Sequence, residues 1–397
     1  MGAEEPSMRI AVIGFGARMS GFYRDHVRRL CPEARIVGIL DPDRAGAEAR
    51  LPADERGCPL HADAVGELVT RCAPDAVMVG TRCDLHARMA VALAPYRLPV
   101  FLEKPVATTS DDALALERAY GDDDRRVVVS FPLRATPLVD QAARWLAEPG
   151  NGRISHVMAV NYVPYGEVYF ASWYRDHAVT GGLFLQKATH DFDYLTHLVG
   201  SPIVAVAAMA LHGRVHQDSG KRGMTEELSG ESDVHFFPGI GSPETGMNED
   251  CSSALIRFAN GIHGVYTQNF FARHGAAARG ATISGQRSTI GFDWCTDRIR
   301  RAWHHAAHEE SLTVKGADGH GGGDGALARN FVAVVRDGAA SIAPLRCGLA
   351  SAYACLAARE SAATGRFIAV RQWGSGDTGA GISAEKPRES ARTGAAS

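Results

Sequence analysis

Arg9-Ile-Ala-Val-Ile-Gly14-Phe15-Gly16-Ala17-Arg18, followed further on by Ile36-Val-Gly-Ile-Leu40-Asp41, is the part of this sequence that decides the fold. An apolar strand entering Gly-x-Gly, then a helix, then a second apolar strand closed by an acid is how a Rossmann unit holds a dinucleotide. Gly14 permits the tight turn. Gly16 lets the backbone approach a pyrophosphate set against the positive end of the following helix, so Phe15, Ala17 and Met19 border the same turn. Met19 stands where the third glycine of the fingerprint would fall. Asp41 is placed to accept hydrogen bonds from the adenosine ribose. Arg18 either pairs with the dinucleotide or is a solvated helix residue.

The chain has 397 residues, is 45% apolar and carries a formal net charge of −3, enough for two domains and without a basic face for nucleic acid or membrane. Its partners are expected to be small molecules or further copies of itself. Eight scattered cysteines without a Cys-x-x-Cys pair suit reduced thiols in a cytoplasm. The first eight residues lack a basic start and an apolar run, so they read as a flexible N-terminus rather than a signal or anchor.

Residues 9–131 alternate short apolar runs with amphipathic stretches, the pattern of parallel strands covered by helices. Residues 132–373 change texture. Ile154–Val163 and Ile203–Leu211 alternate with period two, and Asn260-Gly261 joins two such runs, which predicts a hairpin. The expected fold class is therefore α/β: an N-terminal Rossmann parallel sheet plus a C-terminal α/β domain with a largely antiparallel open sheet. Gln217–Glu249 reads as a long polar excursion, and 374–397 as a disordered tail.

Three segments carry the chemistry: Val79-Gly80-Thr81-Arg82-Cys83-Asp84-Leu85-His86, Phe101-Leu102-Glu103-Lys104-Pro105, and Gly181-Gly182-Leu-Phe-Leu-Gln186-Lys187-Ala-Thr-His190-Asp191-Phe-Asp193. In order and spacing, from Met8 to about Val370 and including His320-Gly-Gly-Gly-Asp324, the chain resembles the glucose-fructose oxidoreductase, inositol dehydrogenase and rhizopine catabolism family, Gfo/Idh/MocA. The resemblance implies a nicotinamide cofactor between two domains, a sheet that often mediates oligomers (a homodimer or homotetramer), and sugars or cyclitols as substrates. NAD is favoured over NADP because Asp41 would repel a ribose phosphate, although Arg44 lies over adenine or accepts such a phosphate.

A lysine near the nicotinamide can hold a hydroxyl and stabilise negative charge developing on its oxygen, and Lys104 takes that role, aimed by Glu103. His190 resembles the family's acid–base histidine. One helical turn earlier many relatives carry Asp or Glu; here Gln186 stands, which cannot take a proton. Either His190 works alone, or Asp191, Asp193 or Lys187 substitutes, with Asp193 read as a structural pair or cap. Thr81, Arg82 and His86 are expected on the cofactor side. Arg134, Arg175 and Lys187, with Arg82, would favour an anionic substrate if two or more converge, and Trp173, Tyr174, Tyr162 and Tyr165 could supply flat faces for a sugar ring. His304, His305 and His308 lack a zinc-type ligand set, so no metal is expected. The expected activity is an NAD-dependent oxidation of a secondary hydroxyl; the alternative is a redox-neutral NAD-dependent glycoside hydrolase that oxidises the ring transiently, eliminates the aglycone and adds water.

Overall fold

The structure is a computed structural model that describes residues 8–213, 248–316 and 320–375. β1 (Arg9–Ile13) is the centre of the first sheet, and Ile10, Val12 and Ile13 are fully buried within it. Burying each such side chain stabilises the fold by roughly 1.5–3 kcal/mol, which is why a run apolar on both faces becomes an interior parallel strand. β2 (Arg35–Leu40), β3 (Leu60–His61), β4 (Ala76–Val79), β5 (Val100–Leu102) and β6 (Val127–Val129) complete a parallel sheet of order β3-β2-β1-β4-β5-β6. The order reverses between β1 and β4. A ligand crevice opens at such a point, beyond the carboxyl ends of the strands.

Among the described residues the second sheet has nine strands, in the order β14-β13-β12-β11-β7-β10-β9-β8-β15. The period-two runs become β7 (Ile154–Tyr162), β8 (Ile203–His212), β9 (Glu249–Phe258) and β10 (His263–Asn269), and Asn260-Gly261 turns the β9–β10 hairpin with Leu255 opposite Val265. All pairings are antiparallel except β7 with β10. The inward residues Val157, Ala159, Ile256 and Tyr266 are buried against the helices Thr189–Val199 and Leu345–Thr364. β11 (Ala278–Gly285), β12 (Ser288–Asp293), β13 (Arg298–Trp303) and β14 (Glu309–Thr313) extend the sheet as a meander that sequence reading did not anticipate. Their alternation is masked by glycines and arginines. β15 (Ile368–Ala369) closes the other edge against β8.

The expected disordered tail beyond residue 375, the first seven residues, and the polar excursion up to residue 247 lie outside the described residues. No disulfide joins the cysteines, all of which lie among the described residues. Among the described residues no helix is long and apolar enough to cross a membrane.

Candidate active site

Gly14 has φ +78°, and a Cβ there would lie 2.6 Å from the backbone nitrogen of Thr81, so no other residue fits this turn. The turn is pinned from β2: the Phe15 N–H donates to Asp41 Oδ2 at 2.7 Å, and the Asp43 N–H to Oδ1 at 2.8 Å. Each carboxylate oxygen keeps a second acceptor site for a ribose hydroxyl. Gly16 is the N-cap of the helix Ala17–Phe22, carries no capping side chain, and has open space where a Cβ would stand. Uncapped N–H groups facing open space are the donors a pyrophosphate requires, so these residues fit a dinucleotide. Phe15 and Met19 bury their side chains beneath the turn, and Ala17 is exposed at its rim.

Arg18 leaves the turn for the protein interior. Its Nε meets Glu103 Oε1 at 3.0 Å, and its Nη1 and Nη2 take the two oxygens of Asp324 at 3.0 and 2.6 Å. Ser130 at the end of β6 bonds both Arg18 and Glu103. Arg18, read as a dinucleotide contact or a solvated helix residue, and Glu103, read as aiming Lys104 on the cofactor side, therefore meet each other, and their charges are used in joining the first sheet to the helix Gly323–Asp337. His86 is also a brace. Its ring nitrogens lie 2.8 Å from the Pro105 carbonyl and 3.0 Å from the Thr81 carbonyl, tying the ends of β4 and β5 together, and burial pushes its pKa down.

Lys104 projects from the end of β5 to the opening turn of the second domain's central helix. Its Nζ donates to the Gln186 carbonyl oxygen at 2.8 Å and to Gln186 Oε1 at 2.5 Å. The Gln186 amide nitrogen turns to the Cys83 sulfur at 3.6 Å. Burial lowers the Lys104 pKa and raises the Cys83 thiol to about 12, which keeps that sulfur protonated. The helix holding Gln186 starts on Glu249, which accepts from the Leu183 and Phe184 N–H groups at 2.9 Å each. A wide helical turn over Phe184–Ala188 then passes into Thr189–Val199 and presents Gln186, Lys187 and His190 together.

His190 is buried, its ring 6.0 Å from that of Phe131, and among the described residues its Nδ1 has no hydrogen-bond partner. Burial, reinforced by Lys104, Arg279, His320 and Lys187, pushes its pKa well below the ordinary value, so the ring is a neutral acceptor. Lys187 is equally buried. Its Nζ sits 3.5 Å from the Tyr165 hydroxyl and over the rings of Tyr165 and Tyr169 at 5.3 and 5.0 Å. Burial and the neighbouring Arg279 and Lys104 push its pKa well down. Asp191 points the other way, toward the second sheet. It accepts from Asn161 at 2.8 Å and Tyr266 at 3.0 Å and pairs with Arg279 at 3.3 Å, anchoring the helix rather than facing Lys104.

Arg134 does not join the cationic group. Its Nε and Nη2 form a fork on Asp193 at 2.7 and 2.6 Å, and Nη1 donates to the Ile342 carbonyl at 2.8 Å. The structural reading of Asp193 describes this geometry, whereas the expected substrate contact of Arg134 does not, because its donors are spent. Trp173 and Tyr174 stack on one another at 3.9 Å, and Arg82 lies over Trp173 at 5.6 Å. Arg175 is exposed on the same segment. Thr81 lies at the end of β4, its hydroxyl bonded to the Arg82 carbonyl. His304 bonds Thr289, and His308 lies near Glu310; among the described residues no set of three His, Cys, Asp or Glu could hold a metal.

Sequence reading missed Arg279 and Tyr169 as parts of this neighbourhood, offered Tyr165 only as a face for a sugar ring, and gave the pair His320–Asp324 no role. Arg279 was hidden in an unassigned strand. Two titratable residues spaced by three glycines were the available signal for His320 and Asp324.

Comparison with known proteins accords with this geometry. Residues 8–131 match the description "Oxidoreductase family, NAD-binding Rossmann fold", and residues 139–291 match "GFO/IDH/MocA C-terminal domain". An inositol 2-dehydrogenase of Saccharopolyspora erythraea is 31% identical over 206 residues, 51% of this chain and 57% of that protein. A levoglucosan dehydrogenase of Pseudarthrobacter phenanthrenivorans is 26% identical over 244 residues, 59% of this chain and 58% of that protein. The chain thus spans less than two thirds of these curated relatives. Among solved structures, a levoglucosan dehydrogenase in complex with NADH and levoglucosan has TM-score 0.72 at 21% identity, covering 92% of this chain and all of that one. An oxidoreductase domain protein from Kribbella flavida has TM-score 0.75 at 18% identity, covering 93% of this chain and all of that one. At such identities the likeness is one of fold.

Proposed function

Because the chain belongs to the GFO/IDH/MocA family of NAD-binding oxidoreductases, we propose that it moves a hydride between NAD and a secondary hydroxyl of a sugar or cyclitol. The observation that carries this is the meeting of Lys104 with the Gln186–His190 turn beyond the carboxyl ends of β4 and β5, beside the glycine turn. Bound NAD supplies the hydride acceptor. Lys104, released from Gln186 when substrate arrives, holds the hydroxyl and stabilises the developing oxyanion. Neutral His190 takes the proton. Gln186 is a switchable rest for the ammonium, since its amide competes with substrate for Lys104 without carrying charge.

The substrate reading extends to an acidic group. Among the described residues Lys187 has a phenolic hydroxyl and aromatic faces around its amine, beside Lys104 and Arg279, and Asp191 is the carboxylate that offsets them. A carboxylate or sulfonate on the sugar would supply the missing counter-charge.

The test is to incubate the protein and NAD with inositols, aldoses, uronates, levoglucosan and aryl glycosides, reading NADH absorbance and released aglycone in the same wells. NADH in step with substrate, lost in Lys104→Met, supports the proposal. Aglycone without net NADH would replace it with the redox-neutral hydrolase, and no reaction in any well would refute both.

A further inference from the structure

His320 and Asp324 lie outside the roles assigned so far, yet they border the same site. The His320 Nδ1–H donates to Asp324 Oδ2 at 2.8 Å, and the two His320 and His190 rings face each other with centroids 6.1 Å apart. Asp324 is buried, whereas the His320 side chain is 38% exposed, so this ring has His190 on one side and water on the other. A neutral histidine that donates through Nδ1 keeps a free lone pair on Nε2. Burial alone would raise the Asp324 pKa, but hydrogen bonds from His320 and Arg18 hold the carboxylate well below the usual range. An imidazolium at His320 would therefore have a fixed counter-ion.

The backbone builds this arrangement at a cost. His320 has φ +51°, Gly321 +63° and Gly322 +90°, and a Cβ on Gly323 would lie 1.9 Å from the Pro132 carbonyl oxygen. A left-handed conformation is strained for a residue with a side chain. The three glycines bring the chain round so that residues four apart face each other across the start of the helix Gly323–Asp337. Such strain at a polar, half-exposed residue beside a reactive group points to use.

His190 lacks what His320 has. Among the described residues its Nδ1 has no partner, Gln186 stands one turn away where a carboxylate could have received a proton, and the charges of Lys104, Arg279, His320 and Lys187 all act against a proton on the ring. A proton accepted there must leave quickly. We propose that His320, oriented by Asp324, carries the reaction proton between His190 and solvent. This rests on the oxidoreductase reading above. In the oxidation, the C–H electron pair and its proton leave as hydride to NAD, the O–H proton passes to His190, and the new C=O is formed. His320 Nε2 then receives that proton, directly or through one water, and releases it to bulk water; NADH and one proton are the products besides the ketone. Reduction runs the same steps backwards.

Among the described residues the groups around His320 are Asp324 on the following helix, His190 on the helix Thr189–Val199, and Arg18 behind Asp324. The experiment uses the full chain and whichever sugar of the panel above yields most NADH. His320→Ala should lower kcat about 100-fold, the lower end of what acid–base groups contribute, with KM and NADH affinity within about twofold. Added imidazole should restore part of that loss. His320→Gln should be as slow without imidazole and gain nothing from it, because the amide fills the place. Asp324→Asn should lower kcat and shift its pH profile while thermal unfolding reports whether the chain still folds. Wild-type-like kcat in His320→Ala, or a loss that imidazole leaves unchanged, would overturn the relay and leave the oxidoreductase reading standing. Absence of NADH formation by the wild-type protein with every sugar would overturn both.

Discussion

Replacing Arg134 by methionine separates a structural cation from a substrate-binding one. In the folded chain its fork makes two hydrogen bonds of 2.7 and 2.6 Å to Asp193, and the two side chains are 9% and 1% exposed. Charge-assisted bonds contribute roughly 1.5–3 kcal/mol each, and removing one partner of a buried pair typically destabilises by about 3–5 kcal/mol. The loss depends on pH. Burial already raises the Asp193 pKa to about 6 against the opposing pull of Arg134, so without that cation it rises further. Unfolded chain releases this proton near pH 3.9. Wherever the folded form retains a proton that the unfolded form has lost, stability falls with rising pH, by about 1.4 kcal/mol per unit. The wild-type protein stops losing stability from this group above pH 6, whereas Arg134→Met continues to lose it up to its higher pKa. Urea unfolding followed by tryptophan fluorescence should therefore show a deficit that widens between pH 6 and 8 by up to about 2.7 kcal/mol. Arg134→Met/Asp193→Leu should recover most of it. A single variant within about 1 kcal/mol of wild type at pH 8, combined with weakened use of anionic sugars, would refute the structural assignment and return Arg134 to the substrate.

Gln186→Glu places a carboxylate on Lys104, and an opposite charge at that range raises a lysine pKa by about 1–3 units; the limb of the kcat/KM profile governed by Lys104 should move to higher pH, and an unmoved limb would remove Lys104 from the reaction. Lys187→Met removes a buried amine whose lowered pKa means stability falls as pH drops from about 10.4 toward the folded value. The variant should melt higher at pH 7, by roughly 2–4 °C per kcal/mol, with the gain vanishing by pH 10.5, and should lose any preference for uronates over neutral sugars. Gly323→Ala sets a methyl against the Pro132 carbonyl; thermal melts should show destabilisation of about 1–3 kcal/mol, and an unchanged melt would mean the turn yields easily.

The first sheet was legible because its strands are buried on both faces and its ligand turn needs glycine at Gly14; pattern and chemistry coincide there. The Asn260-Gly261 hairpin was legible for the same reason. In β11 to β14 arginines and glycines occupy one face, and the signal is diluted. Lys104 and His190 could be read as candidate site residues from the segments that hold them. Partner choice could not: Arg18, Arg134 and Asp191 each look like ligand contacts in sequence, and each is instead paired with a residue 306, 59 or 88 positions away, a distance that no local pattern spans.

The contact of Arg18 with Asp324 makes the two halves of the chain inseparable in a practical sense. Transplanting residues 8–131 onto another relative's second half would leave Arg18 and Glu103 without their third partner, unless the last two helices travelled with them. Ser341–Ala343 reinforce this, since the Ala343 carbonyl extends the edge strand β6 at Val129, and Phe331 packs on Phe101. Breakpoints for chimeras, split reporters or truncated fragments should therefore follow spatial partnership, with the C-terminal helices counted as part of the nucleotide half.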